Sequence, residues 1–181
     1  MNHLLKVATG ALFIAGISLG NANLAQGAVT IERIKNNDGS GYALNLYNLN
    51  SRVNLYDLKN PDSLEKWDFD VLGSGDRQTG FATAEVRIKS NYNSNYCMTA
   101  SSANNNASIY VRPCGQAANQ NFIKEDIYNG SFTDVRFRLK GTNSCINAPN
   151  VNLWNGGYVF MYACNATLTG DPEQTFRIRS R

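Results

Sequence analysis

Four cysteines and a single histidine are the residues of this 181-residue chain with the most chemistry to offer. The cysteines are Cys97, Cys114, Cys145 and Cys164, and the histidine is His3. Thiols can ligate a metal, attack a carbonyl or oxidise to disulfides. Metal ligation calls for close Cys-x-x-Cys pairs or accompanying histidines, and neither is present, so no metal site is expected. Nucleophilic catalysis by Cys or Ser calls for an imidazole base, and His3 falls in a leader segment that the mature protein loses. An even number of cysteines in an exported chain reads as two disulfides, with three pairings open on spacing alone. Paired carboxylates can hydrolyse glycosides without histidine, but the 14 acids are scattered through turns and no pair stands out. The expectation is a non-catalytic protein without a cofactor.

The leader is residues 1–28. Lys6 is followed by an uncharged apolar stretch from Val7 to Gly20, the pattern of a secretory signal peptide. That stretch is shorter than the roughly 20 residues of a spanning helix. Small residues at Gly20 and Ala22, or at Ala25 and Gly27, allow cleavage at 22/23 or at 27/28, and both stay open. What remains, residues 29–181, suits one secreted or periplasmic domain with no transmembrane segment. The net charge of +3 is too small to imply a nucleic-acid partner.

After Val29 helical periodicity is hard to find. Short alternating runs rich in Val, Ile, Phe, Tyr and Thr recur between clusters of Asn, Ser and Gly, an all-β pattern. Three units share one internal order. Each opens on an alternating strand: Val29 to Ile34, Glu85 to Lys89, and Val135 to Lys140. A polar turn leads to Ala43-Leu44-Asn45, Cys97-Met98-Thr99 or Cys145-Ile146-Asn147. A second strand follows, Val53 to Leu58, Ile109 to Cys114, or Val159 to Cys164. The closures are Glu65-Lys66-Trp67, Gln120-Asn121-Phe122 and Gln174-Thr175-Phe176. This register makes the pairing specific: Cys97 with Cys114 and Cys145 with Cys164, while unit one carries the apolar pair Ala43 and Leu58 in the same places. Each bridge adds about 2–4 kcal/mol. The three closing aromatics are expected at a shared centre, as core.

These residues resemble the ricin-B lectin repeat, in which a Cys-Leu-Asp-like segment, a strand ending in Cys and a Gln-x-Trp closure recur three times. The resemblance runs from about Val29 to Arg177 and implies a β-trefoil of three repeats with two intra-repeat disulfides. It also implies galactose-type sugar binding, with a carboxylate and amides taking hydroxyls and a ring stacking on the apolar sugar face. Carried over residue by residue, the family's aspartate becomes Asn45, Thr99 and Asn147, so no unit keeps the acid. The stacking ring becomes Tyr56, Arg112 and Tyr162. Unit two keeps the amide pair Asn119 and Gln120. Asn147 with Tyr162 is then the best candidate pocket, followed by Asn45 with Tyr56.

In architecture and size the chain also resembles the receptor-binding subunits of the cytolethal distending toxins. The nearer of these is the one that is little more than a trefoil and lacks a long extra N-terminal segment. That resemblance implies a cell-surface glycan or glycoprotein as ligand, with a second lectin-like subunit and a nuclease subunit as partners. The alternatives are a stand-alone lectin and a protein-interaction trefoil such as a protease inhibitor, since this fold hosts unrelated functions. Two features stand outside the repeat. Trp154 lies in a turn-forming stretch with no obvious core position, where it is either a binding anchor or a ring folded back onto the domain. Arg136, Arg138, Arg177, Arg179 and Arg181 are expected on a solvated strand face.

Overall fold

The computed structural model describes residues 28–34, 41–58, 63–76, 83–129, 132–166 and 171–180. Within them, alternating apolar and polar residues punctuated by Asn, Ser and Gly make twelve short strands and three single-turn 3-10 segments. The expected signal sequence, save Ala28, lies outside the described residues, as does Arg181. Unit one holds β1 (Val29–Ile34), β2 (Gly41–Leu46), β3 (Val53–Asp57) and β4 (Lys66–Ser74). Unit two holds β5 (Thr83–Ser90), β6 (Tyr96–Ala100), β7 (Ala107–Pro113) and β8 (Phe122–Asn129). Unit three holds β9 (Phe132–Leu139), β10 (Ser144–Asn147), β11 (Phe160–Ala163) and β12 (Phe176–Ser180). The closing aromatics that end the sequence repeat therefore begin a fourth strand.

The first and fourth strands of the units pair in a closed ring: β1 with β4, β4 with β5, β5 with β8, β8 with β9, β9 with β12, and β12 with β1. All these ladders are antiparallel. The aromatics enter at one register step, Trp67 across from Val29, Phe122 from Val86 and Phe176 from Val135. All six are buried, as are Ile31, Ile88 and Phe137 two residues along each opening strand. Phe137 lies with its ring centroid 5.8 Å from Phe69 and 6.3 Å from Phe176, and the Trp67 Nε1–H donates to the Leu44 carbonyl at 2.8 Å. Each such side chain contributes about 1.5–3 kcal/mol by leaving water.

The middle strands form three hairpins, β2–β3, β6–β7 and β10–β11, which also touch one another in a cycle. Arg52 bridges to Tyr110, Ala107 and Ser108 pair with Met161 and Phe160, and Tyr158 bridges back to Asn54. Cys97 is bonded to Cys114 and Cys145 to Cys164, across 5.1 and 5.0 Å between Cα atoms. Ala43 and Leu58 occupy the same places in unit one, both buried. The equivalence extends to the backbone: the N–H groups of Leu58, Cys114 and Cys164 donate to Gly41, Asn95 and Asn143.

Loops between hairpin strands dock each unit on the next. Asn50, Asn106 and Gly156 have φ of 67°, 64° and 91°, a conformation Asn and Gly tolerate best. Their N–H groups donate to Val111, Met161 and Leu55 of the next unit at 2.9, 2.8 and 2.8 Å. One residue earlier, the Asn105 and Asn155 side-chain oxygens accept from the Ala163 and Asp57 N–H groups at 2.7 and 2.8 Å. At the third such junction the strand residue is Pro113, which has no N–H, and the loop residue is Leu49, which packs against the core.

The expected solvated arginine face is not what forms. Glu125 is fully buried and receives Arg136 at 2.7 Å and Arg138 at 3.0 Å. Arg138 also pairs with Asp76, Arg177 with Asp134 and Arg179 with Glu32. Burial lowers the affinity of the Arg138 guanidinium for its proton, but the bonds it donates to Asp76 and Glu125 outweigh this and hold that group above its ordinary value. The reason is local: the residue directly across from Arg136 is Glu125, on the same outer face as Arg138, so both guanidinium heads turn to one buried carboxylate. Glu125→Ala, which leaves two buried guanidiniums short of an anion, should lower stability by about 3–5 kcal/mol in urea unfolding. Asp126→Asn, in the more accessible pair with Lys124, should change it by less than about 1 kcal/mol.

Candidate functional site

Strand alternation separates core from surface on every hairpin. Leu44, Met98 and Ile146 face inward and are buried, while their successors Asn45, Thr99 and Asn147 face outward. Directly opposite these lie Asn54, Tyr110 and Phe160. Tyr56, Arg112 and Tyr162, two residues further along the second hairpin strand, share that outer face.

The Gln of the closure braces this face. In unit three the Gln174 amide donates to the Ala163 carbonyl at 2.9 Å and accepts from the Asn165 N–H at 2.9 Å, gripping the residues on either side of Cys164. Gln120 does the same around Cys114, donating to Pro113 at 2.9 Å and accepting from Gly115 at 2.8 Å. It donates also to the Thr99 hydroxyl at 3.0 Å. Both are buried. Gln120, expected as a ligand-facing amide, is thus a brace with both ends of its amide occupied. Its neighbour Asn119 donates to the Ala100 carbonyl at 2.8 Å. Arg112 stands over the Tyr110 ring at 4.7 Å, where a stacking ring would be.

Unit three is different. Asn147, Phe160 and Tyr162 line a cleft of about 440 Å³ together with Asn165, Asp171 and Glu173. That size lies in the range of small-ligand sites, about 300–1,000 Å³. Asn147 is 5% exposed, and its amide has no hydrogen-bond partner among the described residues. Tyr162 is 43% exposed and meets Phe160 edge to face, centroids 6.4 Å apart. Asp171 accepts from the Asn165 amide at 3.2 Å and from the Glu173 N–H at 2.9 Å. Glu173 accepts from the Asn150 N–H at 3.0 Å. Behind them Arg33 is buried, donating to the Ala148 carbonyl and to Asn150. Its burial pushes the guanidinium below its ordinary value against the pull of Glu173 and Asp171. The cleft therefore pairs an open amide and a ring face with two carboxylates, a set that suits a ring bearing hydroxyls on its edge and C–H groups on its face.

Sequence reasoning misses Asp171 and Glu173 because they stand just ahead of Gln174 rather than after Cys145. Asn147 carries no acid, and the carboxylates that line the cleft are those of Asp171 and Glu173. In unit one Asn45 and Tyr56 share the outer face of their hairpin. A wider groove of about 680 Å³ lies over Leu46, Leu49 and Leu64 between Tyr47 and Tyr92; its other polar liners, Asn48 and Ser63, are exposed. Trp154 is 53% exposed on the loop that docks against β3. Among the described residues no group of three or more His, Cys, Asp or Glu could hold a metal, and no helix is long and apolar enough to cross a membrane.

No protein-family model and no curated protein matches the sequence. Solved structures do. The designed threefold-symmetric protein ThreeFoil matches with a TM-score of 0.63 at 14% identity, over 84% of this chain and 99% of its own. The ricin B-like lectin of Macrolepiota procera, solved in complex with lactose, gives 0.58 at 13% identity over 85% and 95%. A chain of the cytolethal distending toxin from Actinobacillus actinomycetemcomitans gives 0.51 at 14% over 83% and 89%. At these identities the likeness is one of fold, a β-trefoil.

Gln174→Leu strips two buried backbone groups of their partners and should lower stability by roughly 2–4 kcal/mol. Gln174→Glu, which matches Glu65 of unit one, keeps the acceptor but sets a buried carboxylate against the Ala163 carbonyl, so it should be more destabilising at pH 7 than at pH 4, where a protonated carboxyl can donate again, as read from thermal unfolding.

Proposed function

We propose that the protein is an exported, non-catalytic β-trefoil of three repeats that binds galactose-type glycans through the unit-three cleft. The observation that carries this reading is the Asn147 amide, nearly buried, unpartnered among the described residues and set beside the half-exposed Tyr162 ring. An amide left in that state is stabilised by a ligand hydroxyl, and the ring offers its face to the sugar's C–H surface. Asp171 and Glu173 supply the charge-assisted acceptors that Asn147 cannot. Two disulfides support an oxidising compartment, and hence removal of a signal peptide ahead of a domain spanning 29–181.

In the wider assembly we place it as a lectin-like, receptor-binding subunit of a toxin of the cytolethal distending type, with a second lectin-like subunit and a nuclease as partners. The fold shared with a chain of such a toxin supports this reading. So do hairpins that differ in outer surface while keeping one frame.

A glycan array on the oxidised protein tests the central claim. Galactose-terminated glycans should bind. Tyr162→Ala should weaken them about tenfold or more, and Asn147→Ala about three- to tenfold, in keeping with the loss of one neutral hydrogen bond. Absence of glycan binding, or binding untouched by both variants, would overturn the cleft as a sugar site and direct attention to protein contacts.

A further inference from the structure

Unit one carries a second set of unsatisfied groups with a different charge. Arg52, Asn54 and Tyr56 alternate along β3 and its approach, so they share the outer face. Asn45 is directly opposite Asn54 on β2, and Tyr158 is bridged to Asn54 from unit three. Asn45 and Asn54 are 5% and 7% exposed. Neither the Asn45 amide nor the Asn54 Oδ1 has a hydrogen-bond partner among the described residues. The Arg52 guanidinium lies 4.0 Å from the centre of the Tyr158 ring, and its Nε is buried without a partner among the described residues. Among those residues no carboxylate pairs with Arg52, in contrast to the Arg136, Arg138, Arg177 and Arg179 guanidiniums.

Three rings nearby in the fold are half-exposed: Tyr158 under Arg52, Tyr56 two residues beyond Asn54, and Trp154 on the loop docked against β3. The internal repeats show that the turn holding Trp154 does not require an indole. The Trp154 carbonyl accepts from the Gly157 N–H at 2.9 Å, as Asn104 accepts from Ala107 at 3.1 Å and Asn48 from Ser51 at 3.0 Å. Two units thus make the same turn with asparagine. The indole is additional, and it lies over Gly156, whose N–H is bonded to Leu55 on β3.

We infer that this surface, assembled from two repeats, is a second saccharide site that takes an acidic sugar, one bearing a carboxylate or a sulfate. The Arg52 guanidinium meets the anion, the Asn45 amide meets ring hydroxyls, and the Trp154 ring packs on the apolar sugar face. The inference rests on the protein's being a glycan binder, yet it uses none of the cleft residues. Asp171 and Glu173 would repel the same anion from the unit-three cleft, so the two sites sort ligands by charge.

Isothermal titration of the oxidised full-length protein with lactose, sialyllactose and sulfated lactose tests it. At least one acidic sugar should bind; sialyllactose alone identifies a carboxylate site, sulfated lactose alone a sulfate site, and both a site that reads charge. Arg52→Gln and Trp154→Asn should each weaken that binding about tenfold or more and leave lactose unchanged, and Tyr162→Ala should do the reverse. Trp154→Asn installs the residue that the other two repeats already carry, so it keeps the loop intact. Added salt should weaken the acidic sugar and not lactose. The proposal is overturned if neither acidic sugar binds, or if Arg52→Gln and Trp154→Asn leave their binding intact. Loss of lactose binding alone would overturn the cleft and leave this site standing.

Discussion

Burial of Trp67, Phe122 and Phe176 at one register step is the constraint from which the remaining architecture follows. The ring of six strands has no inside apart from the side chains that its opening and closing strands send there. A bulky ring from each closing strand meets a valine from an opening strand of its own unit, and the three contacts together set how the strands lean against one another. Once they are set, the hairpins have one place to go, at the end of the ring. There they bury Leu44, Met98 and Ile146 and turn their other faces out. The functional surfaces are therefore the reverse side of the core, and each outer residue is held by the inner residue next to it in sequence.

Polar groups complete what the apolar centre begins. Gln120 and Gln174 grip the backbone around the second cysteine of their units, so each disulfide and its brace lock the same strand end. Asn105 and Asn155 carry out a similar task between units. Where Pro113 removes the N–H that such an asparagine would serve, Leu49 replaces it and joins the core. Glu125 holds two arginines together on the outer face of the ring yet out of water, an arrangement that is stable only as a set because removing one member leaves buried charge behind.

The sequence carries most of the frame and less of the site. The three-unit order, the cysteine register and the core aromatics are legible because each rests on local alternation or on comparison of one repeat with another. The fourth strands are not legible as strands, since they run on from the closing aromatic and pair both with the first strand of their own unit and with that of the next. The arginines mislead for a related reason. Alternation places Arg136 and Arg138 on the face away from the core, but only the pairing of β8 with β9 shows that Glu125 waits there. In the cleft, Asn147 and Tyr162 are visible as altered forms of a repeating motif. Asp171 and Glu173 are not, because they reach the site from a different segment. Arg52 and Tyr158 escape for the same reason, being brought together by contacts between repeats.

The pairing of β1 with β12 has a consequence in time. Val29 finds Ser180 across nearly the whole length of the domain. A polypeptide that emerges from its amino end exposes one edge of β1 until the last strand has been made. Units two and three can each form a disulfide from their own residues well before then, whereas unit one, with Ala43 and Leu58, has no covalent tie of its own. The repeat that waits longest for its neighbour is thus the one least secured while it waits, which makes the interval before ring closure the moment at which this chain is most open to association with another copy.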